Sequence, residues 1–270
     1  MTTSYEWKHP ESNSFKLEIL LRVCNRREVN PTLTRIVDVS RNELILRCLK
    51  SLVTSLNNLY LVFPQQKANV TIIGGLDTDF EKCFLDVMSK CFYKWDFTNK
   101  DLFNNESMKY CYEFAKNHFL EDNTVIYFAE DDYLYFPNCF VEMIKAYKLF
   151  KDNLGVSEVA IHPQDSPLEY YPKYIYPCRI VLGNDRHWRT SVSSSFTMLI
   201  SKDAFIKFND KFMDYAKFDG VNYHEANTIN LMFISGVNLF TPIPTLCFHI
   251  GYIDPPSPFC DYKELWETNS

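Results

Sequence analysis

Thr124-Val-Ile-Tyr-Phe-Ala-Glu-Asp-Asp132 is the stretch whose reading decides the fold. From Thr124 to Ala129 it is β-favouring and uncharged, as expected of a central strand buried on both faces. Three acids follow at once: Glu130, Asp131 and Asp132. In α/β sheets, ligands lie beyond the carboxyl ends of the strands, so this acidic tip stands where a ligand would. Adjacent carboxylates repel and raise one another's pKa. A divalent cation among them would remove that conflict. Hard oxygen donors suit Mg²⁺ or Mn²⁺, which in turn would hold a diphosphate. The plain alternative is a solvated acidic turn.

Upstream of that strand, β-type and helical patterns alternate. Leu17 to Val23 is an apolar strand. Ser40-Arg-Asn-Glu43 reads as a capping box, in which the serine oxygen accepts an amide hydrogen bond and the glutamate reaches back. Leu44, Cys48, Leu52 and Leu56 follow at four-residue spacing, with Ile45, Leu49 and Val53 beside them, forming one apolar helix face. Asn69 to Gly74 is a short β-rich run. Thr78-Asp-Phe-Glu81 reads as a second capping box, before a helix that carries Phe80, Cys83, Phe84 and Val87 on its inner face. Cys91 to Trp95 is a third short strand, and Met108, Cys111, Tyr112, Ala115 and Phe119 suit a helix packed on a sheet. Such alternation predicts an α/β fold with a mostly parallel central sheet flanked by helices.

Downstream the rhythm changes. A helix is expected from Pro137-Asn138 to about Phe150 and a strand over Ser157 to Ile161. His162 to Arg189, rich in Pro, Tyr and charge, reads as a long loop region, and loops of that length are usually functional or mobile. Phe196, Met198 and Ile200 alternate within a half-buried strand, Ser195 to Ser201. Helices are expected near Lys202–Tyr215 and Glu225–Ile234, with a last strand over Thr245 to Ile250. No linker or internal repeat interrupts the chain. One compact domain is expected, with a nucleotide-sugar-binding half at about 15–135 and an acceptor-binding half at about 136–270.

A hydrophobic content of 46% suits a chain with a sizeable core. The net charge of −6, with no basic block, argues against a nucleic-acid partner. The polar stretch from Met1 to Lys16 lacks the apolar segment of a signal peptide, and no apolar run reaches the roughly 18 residues of a membrane span. The nine cysteines contain no C-x-x-C pair, which suits reduced, mostly buried thiols. A cytoplasmic location is expected. Two glycosylation sequons, at Asn69 and Asn105, carry little weight without export.

Phe128-Ala-Glu-Asp-Asp-Tyr133 resembles the acidic "DxD-type" motif of the GT-A glycosyltransferases, most closely glycosyltransferase family 2. The approach to it, Asn104-Asn-Glu-Ser-Met-Lys-Tyr-Cys-Tyr-Glu-Phe-Ala115 and then Thr124–Asp132, is similar to that family's helix and strand. Leu20-Leu-Arg-Val-Cys-Asn-Arg26 with Cys48-Leu-Lys-Ser-Leu52 resembles its first strand and helix. The resemblance implies a Rossmann-like GT-A fold and a transferase using Mn²⁺ or Mg²⁺. The donor would be a UDP-, GDP- or dTDP-linked sugar, and the acceptor a glycan or other hydroxyl compound.

By the same resemblance, Asp132 would bind the metal, and Asp131 the ribose or the metal. Glu130 would support the loop or the donor. Arg22, Asn25, Arg26 and Asn105 would face the donor, and Asp77 would read the base. The family commonly shows Asp-Asp-Gly-Ser near that last position, where this chain has Gly74-Gly-Leu-Asp77. His249 would join the metal. Trp188 would offer a platform to an acceptor sugar, with ordinary core packing as the competing reading. Inverting members use a carboxylate base near a helix start after a Gly-containing loop. Glu225 in Phe218-Asp-Gly-Val-Asn-Tyr-His-Glu225 is the first choice here and Asp219 the second. A helix-start glutamate stabilised by the dipole is the simpler account of Glu225.

Two other functions compete. A nucleotidyltransferase would usually carry a glycine-rich basic loop after the first strand, and Val23-Cys-Asn-Arg-Arg-Glu28 has no glycine. A non-catalytic carbohydrate-binding protein would use Trp188 and the tyrosines of Tyr170–Tyr176. The zinc-protease pattern H-E-x-x-H fails, because His224-Glu225 is followed by Thr228 where the second histidine belongs.

Overall fold

Burial of β4 (Thr124–Glu130) organises the molecule: every residue from Thr124 to Ala129 is buried. The computed structural model describes residues 15–26, 36–119, 121–153, 158–171, 176–250, 257 and 259–270. Most of the polar N-terminal stretch, Arg27 and Glu28 after the first strand, Ser157 and residues 172–175 of the tyrosine-rich run lie outside them.

In chain order the first half gives β1 (Lys16–Cys24), α1 (Arg41–Val62), β2 (Ala68–Gly75), α2 (Thr78–Met88), β3 (Lys94–Asn99) and α3 (Asn104–His118) before β4. β5 (Tyr133–Tyr135), α4 (Cys139–Asn153), β6 (Val159–Ile161), β7 (Ile180–Leu182), β8 (His187–Ser191) and β9 (Met198–Ser201) come next. The chain closes with α5 (Lys202–Lys207), α6 (Asn209–Tyr215), α7 (Asn230–Ile234), β10 (Asn238–Ile243), β11 (Cys247–His249) and α8 (Tyr262–Thr268). Nine strands form one sheet in the order β3-β2-β1-β4-β9-β6-β10-β8-β7, while β11 and β5 pair separately. β9 pairs antiparallel with β4 and β6, and β8 pairs antiparallel with β10 and β7, so among the described strands of this sheet these two run against the rest. The result is a mixed α/β domain with a large, mostly parallel central sheet flanked by helices.

Strand periodicity sorts the side chains into two layers. Leu17, Ile19, Leu21 and Val23 of β1 face α1 and α2, together with Val70, Ile72, Val125 and Tyr127. Leu20, Ile73, Ile126 and Phe128 face the other way, against α3, α5, α6 and α7. Tyr112 is the hub of that second layer, with ring centroids 5.2 Å from Phe128, 5.1 Å from Phe212 and 5.6 Å from Phe196. Burying a large apolar side chain of this kind stabilises by about 1.5–3 kcal/mol. A third, smaller cluster joins α1 and α8 to the β5–β11 pair through Leu44, Leu134, Phe248 and Trp266.

Several sequence-based expectations are corrected. Ser40 does cap α1, its Oγ accepting from Glu43 N at 3.2 Å, but the Glu43 carboxylate turns to Arg47 Nε at 2.6 Å. The cap of α2 is Asp77, not Thr78: Asp77 Oδ1 accepts from Phe80 N at 2.9 Å, and Glu81 turns to Asn99. The third strand lies later, at Lys94–Asn99. The segment read as a long loop contains β7 and β8: β7 is only three residues long, and β8 is a short, largely polar run, so neither carries much periodic signal. The helix expected over Lys202–Tyr215 breaks at Phe208, and the one expected over Glu225–Ile234 is a 3-10 turn followed by α7. Among the described residues, no helix is long and apolar enough to cross a membrane.

Candidate functional site

The parallel strands β1, β2 and β4 end together, and the acidic tip stands at their carboxyl edge. Each of its three acids meets a basic side chain. Arg22 on β1 pairs with Glu130 on β4, the two being register partners, at 2.5 Å between Nη2 and Oε1. The other Glu130 oxygen accepts from Thr197 Oγ1 at 3.0 Å. Arg22 also reaches Asn104 O at 3.0 Å and Ser107 Oγ at 3.1 Å, and it lies 4.6 Å over the Phe196 ring. Asp131 Oδ1 takes Arg41 Nη2 at 2.6 Å, and Asp131 Oδ2 takes the Cys24 amide at 2.8 Å. Arg41, the first residue of α1, also donates to Cys24 O at 3.2 Å. It thus ties the end of β1 to the acidic tip.

Asp132 differs from its neighbours. Its Oδ2 lies 3.2 Å from His249 Nε2, while its Oδ1 is buried with no hydrogen-bond partner among the described residues. Pairing of β5 with β11 explains the approach. Tyr133 is the register partner of His249, the two rings stack at 4.8 Å, and Ile250 N donates to Asp132 O at 2.8 Å. Burial is the largest influence on both aspartates and pushes both pKa values up. At Asp131, burial and the charge of Asp132 outweigh Arg41, so its pKa stays above the usual carboxylate range. At Asp132, His249, Arg41 and Arg22 together outweigh burial and hold it at about 2.

The protein itself brings Arg22, Arg41 and His249 to the three acids, which eases their mutual repulsion. Asp131 has both oxygens engaged, by Arg41 and by the Cys24 amide, whereas Asp132 has one oxygen with no partner among the described residues. The chemistry of Asp132 does fit a divalent ion, through one orphaned buried carboxylate oxygen beside an imidazole. Among the described residues no group of three or more His, Cys, Asp or Glu forms a closed metal cage. A cation held by Asp132 and His249 would complete its shell with water and phosphate oxygens, as Mg²⁺ commonly does.

The remaining sequence-derived candidates divide. Asn25 joins Asp77 and, at 3.0 Å, Asn42 Oδ1, and Asn25 Oδ1 accepts from Asp77 N at 3.0 Å. This polar cluster is exposed at the ends of β1 and β2. The amide of Phe80, then Asn25, hold Asp77 below the usual carboxylate range. Arg26 lies 4.0 Å from Asp101. Asn105 turns away, its Nδ2 donating to Phe218 O at 2.8 Å, and the neighbouring Asn104 meets Arg22 instead. Trp188 is corrected outright. It is 1% exposed, edge-on to Phe150 in the core, and has no ring face for a sugar.

Glu225 and Asp219 are also set apart. Glu225 Oε1 accepts from the Tyr215 hydroxyl at 2.8 Å, and Oε2 lies 3.1 Å from His224 Nε2. Asp219 Oδ1 accepts the amides of Val221, Asn222 and Tyr223, and Oδ2 accepts from Asn222 Nδ2. Those bonds, the Tyr223 amide foremost, hold Asp219 at about 2. Asp219 thus shapes its own turn, which leaves Glu225 the first choice as base. Sequence reasoning missed Arg41, Asn104, Thr197 and Tyr215. Only Arg41 left a signal, because a cation in the first turn opposes the helix dipole and needs an acid close by.

No protein-family model and no curated protein sequence matches this chain. Some solved structures align with most of this chain's length. They include galactosyltransferase LgtC in complex with donor and acceptor sugar analogs (11% identity, 93% of this chain and 95% of that one, TM-score 0.48). Another is 4-diphosphocytidyl-2C-methyl-D-erythritol synthase from Anaerococcus prevotii (10%, 95% of both chains, TM-score 0.43). A third is a putative nucleotide-diphospho-sugar transferase from Desulfovibrio desulfuricans (15%, 83% and 78%, TM-score 0.43). At these identities and scores the likeness carries no functional argument, which has to come from the side chains.

Proposed function

We propose that this chain transfers a sugar from a nucleotide-sugar donor to an acceptor hydroxyl, with inversion at the anomeric carbon. One observation carries the reading: the buried Oδ1 of Asp132, unpartnered among the described residues, beside His249 at the carboxyl edge of a parallel sheet. An orphaned buried carboxylate oxygen is costly unless something binds it. Ligands of such sheets bind at that edge.

In this reading Asp132 and His249 hold Mn²⁺ or Mg²⁺. The bound ion would supply Lewis-acid stabilisation of charge on a diphosphate leaving group. Arg41 and the Cys24 amide fix Asp131, which keeps the turn bearing Asp132 in place. Arg22 and Thr197 hold Glu130 in the same way. Asn25 and Asp77 form the exposed polar edge available to the nucleoside. Glu225, oriented by Tyr215 and His224, accepts the proton of the acceptor hydroxyl. A base needs hydrogen-bond reach to that proton, and each Glu225 oxygen retains a lone pair beyond the one already engaged.

The test is a calorimetric screen of UDP-, GDP- and dTDP-sugars with and without Mn²⁺, followed by product analysis. Metal-dependent binding and release of a nucleoside diphosphate support the proposal. Pyrophosphate release would make the chain a nucleotidyltransferase instead. Absence of nucleotide binding under all conditions would refute both.

A further inference from the structure

We propose that Tyr170 and Phe259 form a carbohydrate-stacking subsite on the acceptor half, shaped for the apolar face of a pyranose ring. Its role as an acceptor subsite rests on the transferase reading; its ability to bind a saccharide does not.

The platform is built from the sheet outward. Arg189 on β8 is the register partner of Thr241 on β10 and of Ile180 on β7. Its guanidinium is buried, 2.8 Å from Asp165 Oδ1, with Nε donating to Thr241 Oγ1 at 3.2 Å. The Tyr170 ring lies 4.6 Å from that guanidinium and donates its hydroxyl to Asp165 Oδ2 at 2.8 Å. Tyr170 is thus fixed at its inner face and at its tip, yet the residue remains 40% exposed. Phe259 meets Tyr170 edge-on at 6.2 Å and is 79% exposed. Its φ of +76° lies in a region that a bulky L residue adopts only when its surroundings enforce it. A phenyl ring held in strained backbone and presented to water contributes little to the core. It is available to a ligand.

The chemistry selects a sugar. Aromatic faces carry negative quadrupole potential that attracts C–H bonds, and a pyranose presents several on one face. Its hydroxyl edge needs polar partners, and Glu169 with Ser191, joined at 2.5 Å, stands close to the platform. The frame is continuous with the candidate site. Asp165 N donates to Thr245 Oγ1 at 3.0 Å, which donates to Cys247 O at 2.6 Å, and Cys247 begins the strand that ends at His249. Tyr170 and Phe259 therefore take the role that the sequence suggested for Trp188.

The experiment titrates the full chain with cellohexaose, maltohexaose, chitohexaose and mannohexaose, without nucleotide or divalent cation. At least one is expected to bind saturably. Tyr170→Ala and Phe259→Ala should each weaken that binding roughly three- to tenfold, the worth of one aromatic contact. Tyr170→Ala uncovers a buried ion pair and risks misfolding, but the exposed Phe259 does not, so Phe259→Ala decides the matter alone. Absence of binding by all four probes, or an unchanged affinity in Phe259→Ala, would overturn the proposal. So would a dimer that Phe259→Ala dissociates in size-exclusion chromatography, since the patch would then serve a second copy of the chain. Nucleotide binding is measured separately, so failure of the transferase reading leaves this result intact.

Discussion

Asp132 Oδ2 lies 3.2 Å from His249 Nε2, although the two residues are far apart in sequence. The pairing of two three-residue strands, β5 and β11, holds them together. Removing either partner should cost ligand affinity more than stability. Asp132→Asn keeps the side-chain volume but removes the charge that His249, Arg41 and Arg22 favour, so a modest fall in melting temperature is expected with the fold retained. His249→Ala should behave similarly at the site. Each is expected to lower affinity for a Mn²⁺–nucleoside diphosphate complex by about 100-fold or more, beyond the 10–100-fold typical of losing a supporting partner. Calorimetry measures this directly, and unchanged affinity in both variants would remove the pair from the site.

Arg41 and Asp131 make a buried pair whose two halves should behave asymmetrically. Breaking such a pair on one side leaves an uncompensated buried charge and costs roughly 3–5 kcal/mol. Arg41→Ala should therefore lower the urea midpoint strongly. The double variant Arg41→Ala/Asp131→Asn should recover much of that loss, because the stranded charge is gone. A double-mutant cycle reads the coupling. Strict additivity of the two changes would show that the pair has no energetic link.

Much of the frame was legible because hydrophobic periodicity is a local signal. Leu44, Cys48, Leu52 and Leu56 all lie buried on α1, and Thr124 to Ala129 form the central strand. The elements that escaped were short, or were set by distant partners. β5 is too brief for a pattern, and β8 owes its place to pairing with β10; β11 lies within the strand expected over Thr245 to Ile250, but its pairing with β5 was not legible. The acidic tip was legible, but its neutralisation was not. Arg22, Arg41 and His249 reach it from three different elements. Trp188 shows the same limit: a lone indole in a polar segment looks like a ligand platform until its register with Pro242 turns it into the core.

His162 should give the stability a measurable pH dependence. The ring is buried, with Nδ1 donating to Thr197 O at 2.7 Å. Burial, opposed by that carbonyl and aided by His249, lowers its pKa to about 4. Between about pH 6.5 and pH 4 the unfolded chain binds a proton at this residue that the folded chain does not, so stability falls as pH falls through that window. From pH 7 to pH 5 the loss should be about 2 kcal/mol, the slope approaching about 1.4 kcal/mol per pH unit below pH 6.5. Urea titrations at pH 7 and pH 5 should show the drop in wild type and a smaller one in His162→Gln. Equal slopes would place the origin of the pH dependence elsewhere.

Glu225 remains the first choice as base, since Asp219 shapes its own turn. The Tyr215 hydroxyl at Oε1 and the His224 imidazole at Oε2 fix its orientation. Ala226 N lies 3.4 Å from His224 Nδ1 and donates to it, which leaves the proton on Nε2, facing Glu225. His224 thus donates to Glu225 and does not compete with it as a base. Glu225→Gln preserves shape and one of the two accepted hydrogen bonds, but cannot take a proton. If Glu225 is the base, kcat for transfer should fall by about 100-fold or more, with the donor's Kd changed far less. Tyr215→Phe frees one oxygen and loosens the carboxylate, so a smaller fall is expected, with a shifted acidic limb in the pH–rate profile. A Glu225→Gln enzyme that turns over at the wild-type rate would reduce this residue to a turn-stabilising acid and send the search for the base elsewhere along the carboxyl edge.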